Sequence, residues 1–167
     1  SDLAARAAFG NYGEALRLNP RLVAAWNNRG GCGLSLADLH ADAPAERERY
    51  LRAAVEDFGQ ALAVHPGFAD AHNNRGLALQ GLGELDEAAG REPRPRYREA
   101  IAEFDAAIRL RPLGASGWNN RGVAAWTLGR AEEARGTDPG PFWARAEADY
   151  RKAAELHMDQ ARLHLGL

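Results

Sequence analysis

The sequence predicts an all-α fold in which antiparallel helix pairs stack into a solenoid. Its 167 residues include 35 alanines but only four valines, two isoleucines and two threonines, a composition that favours helices over sheets. The segment Trp26 to Gly30 (WNNRG) recurs as HNNRG at 72–76 and as WNNRG at 118–122. A block that pairs an alanine with an aromatic residue four positions later follows each copy in register. Such internal repetition is typical of stacked supersecondary units.

The chain opens with half a repeat, residues 1–24, which predicts a second helix without its first. Ala8 and Tyr12 share a helix face, and the segment closes at Pro20, where a helix has to stop. The counterparts of these two residues one period later are Ala54 and Phe58.

Three full repeats follow, at residues 25–70, 71–116 and 117–162. In each of them the first helix should run about 14 residues and end near Leu36, Gly83 or Gly129. The second helix should be up to about 18 residues long, because a proline suited to a first helical turn precedes it each time. These prolines are Pro44, Pro95 and Pro141.

Each helix pair is predicted to carry an insert that projects from one edge of the stack, at residues 37–43, 88–94 and 134–140. Inserts at the same place in every repeat often line a binding face. The last segment, 163–167, predicts the start of a further helix or a truncated cap, with His164 at the tryptophan position of the motif.

These residues resemble the tetratricopeptide repeat family, whose signature combines Trp, Leu-Gly, Tyr, Ala, Phe and Pro. The resemblance covers nearly the whole chain and implies a right-handed superhelix with a concave groove lined by the first helices. Three features depart from the family: arginine replaces leucine before the motif glycine, Gly33, Leu79 and Ala125 replace the tyrosine, and the period is 46 residues where about 34 is usual. The 12 extra residues are expected as an insertion between the two helices of each pair. Sel1-like repeats are the alternative, because Tyr150 to Ala154 is similar to their second helix, but the closing prolines favour the tetratricopeptide interpretation.

Arginine at a position that usually faces the core needs a partner, because an unpaired buried guanidinium is costly. A carboxylate lies 28 residues after each such arginine, directly before the aromatic residue of the second helix. We therefore predict a salt bridge within each helix pair, which fixes how the helices register; a ligand-binding role for the arginines is the alternative. The predicted pairs are Arg29 with Asp57, Arg75 with Glu103, and Arg121 with Asp149.

The resemblance implies that Asn28, Asn74 and Asn120 form a ladder that holds the backbone of an extended peptide in the groove. A carboxamide suits this task, because it offers both donors and an acceptor. The alternative is that the asparagines cap helices or hydrogen-bond between helices. Other candidate groove residues are Asn73, Asn119, Leu77, Gln80, Val123 and Trp126.

Trp126 is the candidate anchor for a partner, because aromatic residues dominate binding energy. Packing against an insert or a next repeat is its alternative role. A basic patch in the second insert could bind an acidic partner or phosphate, with a solvated, proline-stiffened loop as the more conservative interpretation. The patch consists of Arg91, Arg94, Arg96 and Arg98.

Enzymatic activity finds no support in the sequence. Histidine and cysteine show none of the spacings of metal sites, and Cys32 aligns with small packing residues. We therefore predict no catalytic residue, no metal, no cofactor and no small-molecule substrate.

Composition limits the partners and the compartment. A net charge of −2 gives no general reason to bind nucleic acid or an anionic membrane, and no stretch is apolar enough to insert into a membrane. A single cysteine favours a soluble protein in a reducing compartment, the cytoplasm or an organelle stroma.

Two functions remain. The first is a non-catalytic scaffold that binds an extended peptide or a partner protein in its groove. The second is a structural subunit or assembly factor that docks through its inserts and ends into a larger complex, for example in an organelle or at a membrane.

Overall fold

The computed structural model describes the backbone of residues 2–165 and the side chains of residues 2–158, and this part of the chain forms seven helices and no strand. It confirms the all-α solenoid. The helices are α1 (Asp2–Leu18), α2 (Val23–Leu39), α3 (Pro44–Val64), α4 (Ala69–Ala88), α5 (Arg94–Leu110), α6 (Ala115–Glu133) and α7 (Gly140–Leu165). No helix in the described part is both long and apolar enough to cross a membrane.

The helices form two layers, which we name the inner layer (α2, α4 and α6) and the outer layer (α1, α3, α5 and α7). Every helix packs against the next one along the chain, and the inner helices also pack on one another, α2 on α4 and α4 on α6. Within residues 2–165, outer helices do not pack on one another in this way, and long side chains such as Arg145, 2.7 Å from Asp105, bridge the gap. The inner layer is therefore the narrow, concave side of the stack.

The helices of each pair enter the predicted inserts only at the edges of these inserts, and the first helices end later than expected. The first helices run to Leu39, Ala88 and Glu133, between three and five residues past the expected ends, and α3 spans 21 residues. Only 40–43, 89–93 and 134–139 connect the two helices of each pair. The residues in excess of the usual repeat thus lengthen both helices, and no long loop projects from the edge.

Glycines with left-handed backbone end two of the first helices. Gly90 has a φ of +69° and Gly136 a φ of +75°. Both helix ends have the hydrogen bonds of a Schellman motif; at the end of α4, for example, the Arg91 N–H donates to the Asp86 carbonyl at 2.7 Å. At the end of α2 the ring of His40 lies against the Leu36 carbonyl instead, at 2.8 Å. These stops explain why the connections are short.

Aromatic side chains of the outer layer pack on glycines of the inner layer. Phe58 and Phe104 are fully buried, and a Cβ atom added at Gly30 or Gly76 would lie within 2.7 Å of the facing ring. The motif glycine therefore lets the two layers approach closely. Tyr150 takes the same place on α7 but stays 38% exposed.

Helix α7 extends past the repeat boundary expected at residue 162 and runs to Leu165. Residues 166–167, and the side chain of His164, lie outside the described part of the chain.

Candidate functional site on the concave face

Doubled asparagines connect the inner helices in the concave face. Asn74 of α4 donates from Nδ2 to Oδ1 of Asn27 on α2 at 3.4 Å, and Asn120 of α6 donates in the same way to Asn73 on α4 at 3.0 Å. The second asparagine of each later repeat thus binds the first asparagine of the earlier one. These amides form the inter-helix bonds that the sequence left open as an alternative.

The asparagines keep hydrogen-bonding capacity beyond these bonds. A carboxamide has two N–H donors and an oxygen with two lone pairs, and each inter-helix bond uses one donor and one lone pair. Asn28 and Asn119 are exposed, and Asn119 makes only a 3.5 Å contact with its neighbour Asn120. The row can therefore both join helices and meet a ligand.

An open depression lies where this row meets the first helix of the chain. It is lined by Asn28 and Asn74 from the row and by Cys32 and Ser35, which lie one and two turns further along α2. Tyr12 of α1 closes its other side. Burial raises the pKa of the Cys32 thiol, which favours its neutral form. The sequence motif did not indicate that Tyr12 and Cys32 would share this surface.

The other candidate groove residues have mixed surroundings. Leu77 is partly buried against the core that α4, α5, α6 and α7 share, and Val123 is partly buried. Gln80 donates to Glu84 at 3.4 Å, while its buried oxygen has no partner among the described atoms. These three side chains thus contribute more to packing than to an open surface.

Among the large apolar side chains of the predicted groove, that of Trp126 is the most exposed, at 48%. One face of its ring stacks on Trp143 of α7, with centroids 5.5 Å apart. This partner is neither an insert nor a further repeat, the two alternatives that the sequence suggested. The free half of the ring remains available to a partner.

Each motif arginine binds the carboxylate 28 residues later on the neighbouring outer helix. Arg29 holds both oxygens of Asp57 at 2.8 and 2.5 Å, and the Asp57 side chain is only 3% exposed. Arg121 binds Asp149 in the same two-pronged way and also contacts Asp105. Hydrogen bonding to the carboxylate raises the pKa of both guanidinium groups, which therefore stay charged.

The guanidinium groups of the first and third repeats also stack on the motif tryptophan. Arg29 lies 4.8 Å from the ring centroid of Trp26, and Arg121 lies 4.8 Å from that of Trp118. In each pair, the tryptophan and the arginine stand three positions apart on one helix, a spacing that brings side chains together. This spacing was the signal in the sequence that could have predicted the contact.

The four arginines of the predicted basic patch are all engaged by carboxylates. Arg94 and Arg98 both bind Glu132 on α6, whose side chain is 3% exposed, and Arg91 and Arg96 both lie against Asp86. Three of the four belong to α5 rather than to a loop. These arginines therefore form ion pairs between helices, and they are less available to a partner than the sequence suggested.

Exposed carboxylates take part in the same network. The side-chain hydrogen bond from Arg94 lowers the pKa of Glu92 to about 2. Within the described part of the chain, no three His, Cys, Asp or Glu side chains come together as a metal site.

A sequence profile of the tetratricopeptide repeat family matches residues 39–92 and 96–137, which together are more than half of the chain. The chain belongs to this family. The match says nothing in favour of the Sel1-like alternative. A search of curated proteins found no match.

One solved structure shares the fold over most of the chain. The structure described as "MamA RS-1 ArsTM double mutant" superposes with a TM-score of 0.60 over 94% of this chain and 68% of that chain, at 18% identity. Two crystal structures of MamA have TM-scores of 0.45 and 0.44, at 18% and 16% identity, and cover 92% and 95% of this chain and 89% and 86% of theirs. At these identities the likeness concerns the fold alone.

Proposed function

We propose that this tetratricopeptide repeat protein is a non-catalytic scaffold that binds an extended segment of a partner protein on its concave face. The observation that carries the proposal is the row of asparagine amides, which runs from repeat to repeat along the inner layer. Repeat proteins of this kind use such extended concave surfaces for binding.

The chemistry of the row suits a peptide backbone. Each peptide unit presents one N–H donor and one carbonyl acceptor, and a carboxamide with spare donors and lone pairs can satisfy both. Because these groups are the same in every residue, the row would hold a strand without reading its sequence. The half-exposed ring of Trp126 would add an apolar anchor.

The alternative function, docking into a larger complex through the inserts and ends, has less support. The segments between paired helices are short, and the four arginines of the predicted basic patch already bind carboxylates. A partner at that edge would have to displace ion pairs that join neighbouring helices.

Peptide selection tests the proposal. A library of random linear peptides is displayed on phage, and binders to the wild-type chain are measured again with an Asn74→Ala/Asn120→Ala variant. Loss of two hydrogen bonds to the peptide should weaken peptide binding about tenfold or more, because each bond contributes about 0.5–1.5 kcal/mol.

The control is Gln60→Ala, which removes an exposed carboxamide from the outer helix α3. Its peptide affinity should equal that of the wild type, and circular dichroism should show all variants folded. Peptides that bind the asparagine variant and the wild type equally well would contradict the role of the row.

A further inference from the structure

The middle repeat differs from its neighbours at two positions that touch each other. Where the first and third repeats have tryptophan, the middle one has His72, and where they have aspartate, it has Glu103. The longer carboxylate of Glu103 reaches the ring, with Oε2 2.7 Å from His72 Nδ1, while its other oxygen accepts from Arg75 at 3.0 Å. The two replacements together produce a contact that the other repeats lack.

The second ring nitrogen of His72 takes over the role of the tryptophan N–H. In the first and third repeats, Trp26 and Trp118 donate from Nε1 to the carbonyls of Pro20 and Pro112, at 2.8 and 2.9 Å. His72 Nε2 lies 3.0 Å from the equivalent carbonyl, that of Pro66. A carbonyl can only accept, so this contact requires a proton on Nε2.

Both partners of the His72 ring are therefore acceptors. An ionised carboxylate and a carbonyl each need an N–H, but a neutral imidazole has one N–H and a protonated one has two. Only the protonated ring makes both hydrogen bonds. In the neutral ring one nitrogen lone pair faces an acceptor oxygen.

His40 shows the opposite arrangement within the same chain. Its Nδ1 lies 2.8 Å from the Leu36 carbonyl, but its Nε2 lies 3.1 Å from both a donor, Arg6 Nη2, and an acceptor, Glu46 Oε2. Its second nitrogen thus has a partner in either protonation state. His40 is therefore an internal control for His72.

The charges around His72 come from two helices. Glu103 faces the ring from α5, and Arg75 on the histidine's own helix shares that carboxylate. On the other helices packed against α4, Arg29 pairs with Asp57, and Arg121 pairs with Asp105 and with Asp149 of α7. Arg47 of α3 pairs with Glu84 of α4. Glu103 is thus the carboxylate that responds to the proton on His72.

We propose that His72 and Glu103 form a proton-dependent lock between α4 and α5, closed when the imidazole is protonated and weakened when it is neutral. The protonated form makes one more hydrogen bond in the folded chain, so the lock stabilises the fold when the ring carries both protons and stabilises it less when one proton is lost. The α4–α5 junction, which carries Asn73 and Asn74, is thereby sensitive to pH.

The test compares the wild type with His72→Trp/Glu103→Asp, which installs the residues of the first and third repeats. Thermal unfolding is measured at pH 5.5 and pH 8.0. The melting temperature of the wild type should fall by about 4 °C more than that of the double variant, because a hydrogen bond to a charged group is lost only in the wild type. His40→Gln should keep most of the wild-type pH response.

Two further measurements keep the test decisive if the double variant folds poorly. Glu103→Gln removes the charge at nearly constant shape and should also flatten the pH response. Nitrogen-15 NMR of the histidine rings should show two N–H groups on His72 at pH 5.5 and one at pH 8.0. An equal pH response of wild type and variants, or a single N–H on His72 throughout, would overturn the lock.

Discussion

The carboxylate of Asp57 illustrates the residue scale, because its burial decides what the ion pair contributes. The group is almost inaccessible to water, and both of its oxygens accept from Arg29. A buried pair stabilises little relative to apolar packing, but removal of one partner leaves the other charge without compensation. The two layers therefore pack correctly only when both members of the arginine–aspartate pair are present.

Replacement of Asp57 tests this role. Asp57→Ala should lower the free energy of unfolding by about 3 kcal/mol, since Arg29 is left partly buried and unpaired. Asp70→Ala is the matched control, because Asp70 pairs with Arg111 on the surface and should cost less than about 1 kcal/mol. Urea unfolding measures both; equal, small losses would mean that the pair does not connect the layers.

Residue pairs could be predicted from the sequence only where spacing alone determines the contact. The constant separation of 28 residues indicated the arginine–carboxylate pairs, which the helix pair then brings together. The stacking of Trp126 on Trp143 could not be predicted in this way, because it depends on which turns of two lengthened helices face each other. The same holds for His72, whose second hydrogen bond is to a backbone carbonyl of the preceding turn.

At the scale of single helices, glycine has two opposite roles in the same segment of α2. Gly30 lies directly on the ring of Phe58, whereas a Cβ atom at Gly31 would meet nothing within 4 Å. The first glycine is needed for close packing of α2 on α3. The second only weakens the helix.

Alanine substitutions separate the two roles. Gly30→Ala should destabilise the protein by about 1–3 kcal/mol, because the ring of Phe58 is held in a full core and has to shift. Gly31→Ala should stabilise it by up to about 1 kcal/mol, since alanine is the better helix former. Melting temperatures of the two variants should therefore move in opposite directions; a shift of both in the same direction would contradict this account of α2.

Helix type could be predicted better than helix length. Gly83 and Gly129 suggested ends for α4 and α6, because glycine commonly follows a helix. Both are buried inside these helices instead, against the rings of Tyr97 and Trp143. The sequence could not distinguish a glycine that ends a helix from one that admits a ring, because this depends on the neighbouring helix.

At the scale of the whole molecule, packing within residues 2–165 joins only helices that are consecutive in the chain or adjacent in the inner layer. Helix α4 packs against four others, α2, α3, α5 and α6, whereas α1 packs against α2 alone. Stability in such stacks is close to a sum of terms for units and their interfaces. The protein should therefore open from its edges rather than unfold in a single step.

Hydrogen exchange can detect this order. Backbone amides in α4 should exchange most slowly and those in α1 fastest, because opening α1 breaks one helix interface and opening α4 breaks four. Exchange measured by mass spectrometry at neutral pH resolves the helices as peptides. Uniform protection of α1 and α4 would show that the stack unfolds as one cooperative unit.

The separation of the outer helices has a mechanical consequence. Inner helices touch and are joined by hydrogen bonds between asparagine side chains, whereas the gap between α5 and α7 is bridged by the surface ion pair of Arg145 and Asp105. The inner layer thus holds the helices together. The outer helices can move apart or closer to one another at little cost in packing. Because salt screens exposed charges, we expect the curvature of the stack, and with it the width of the concave groove, to vary with the ionic strength of the surrounding medium.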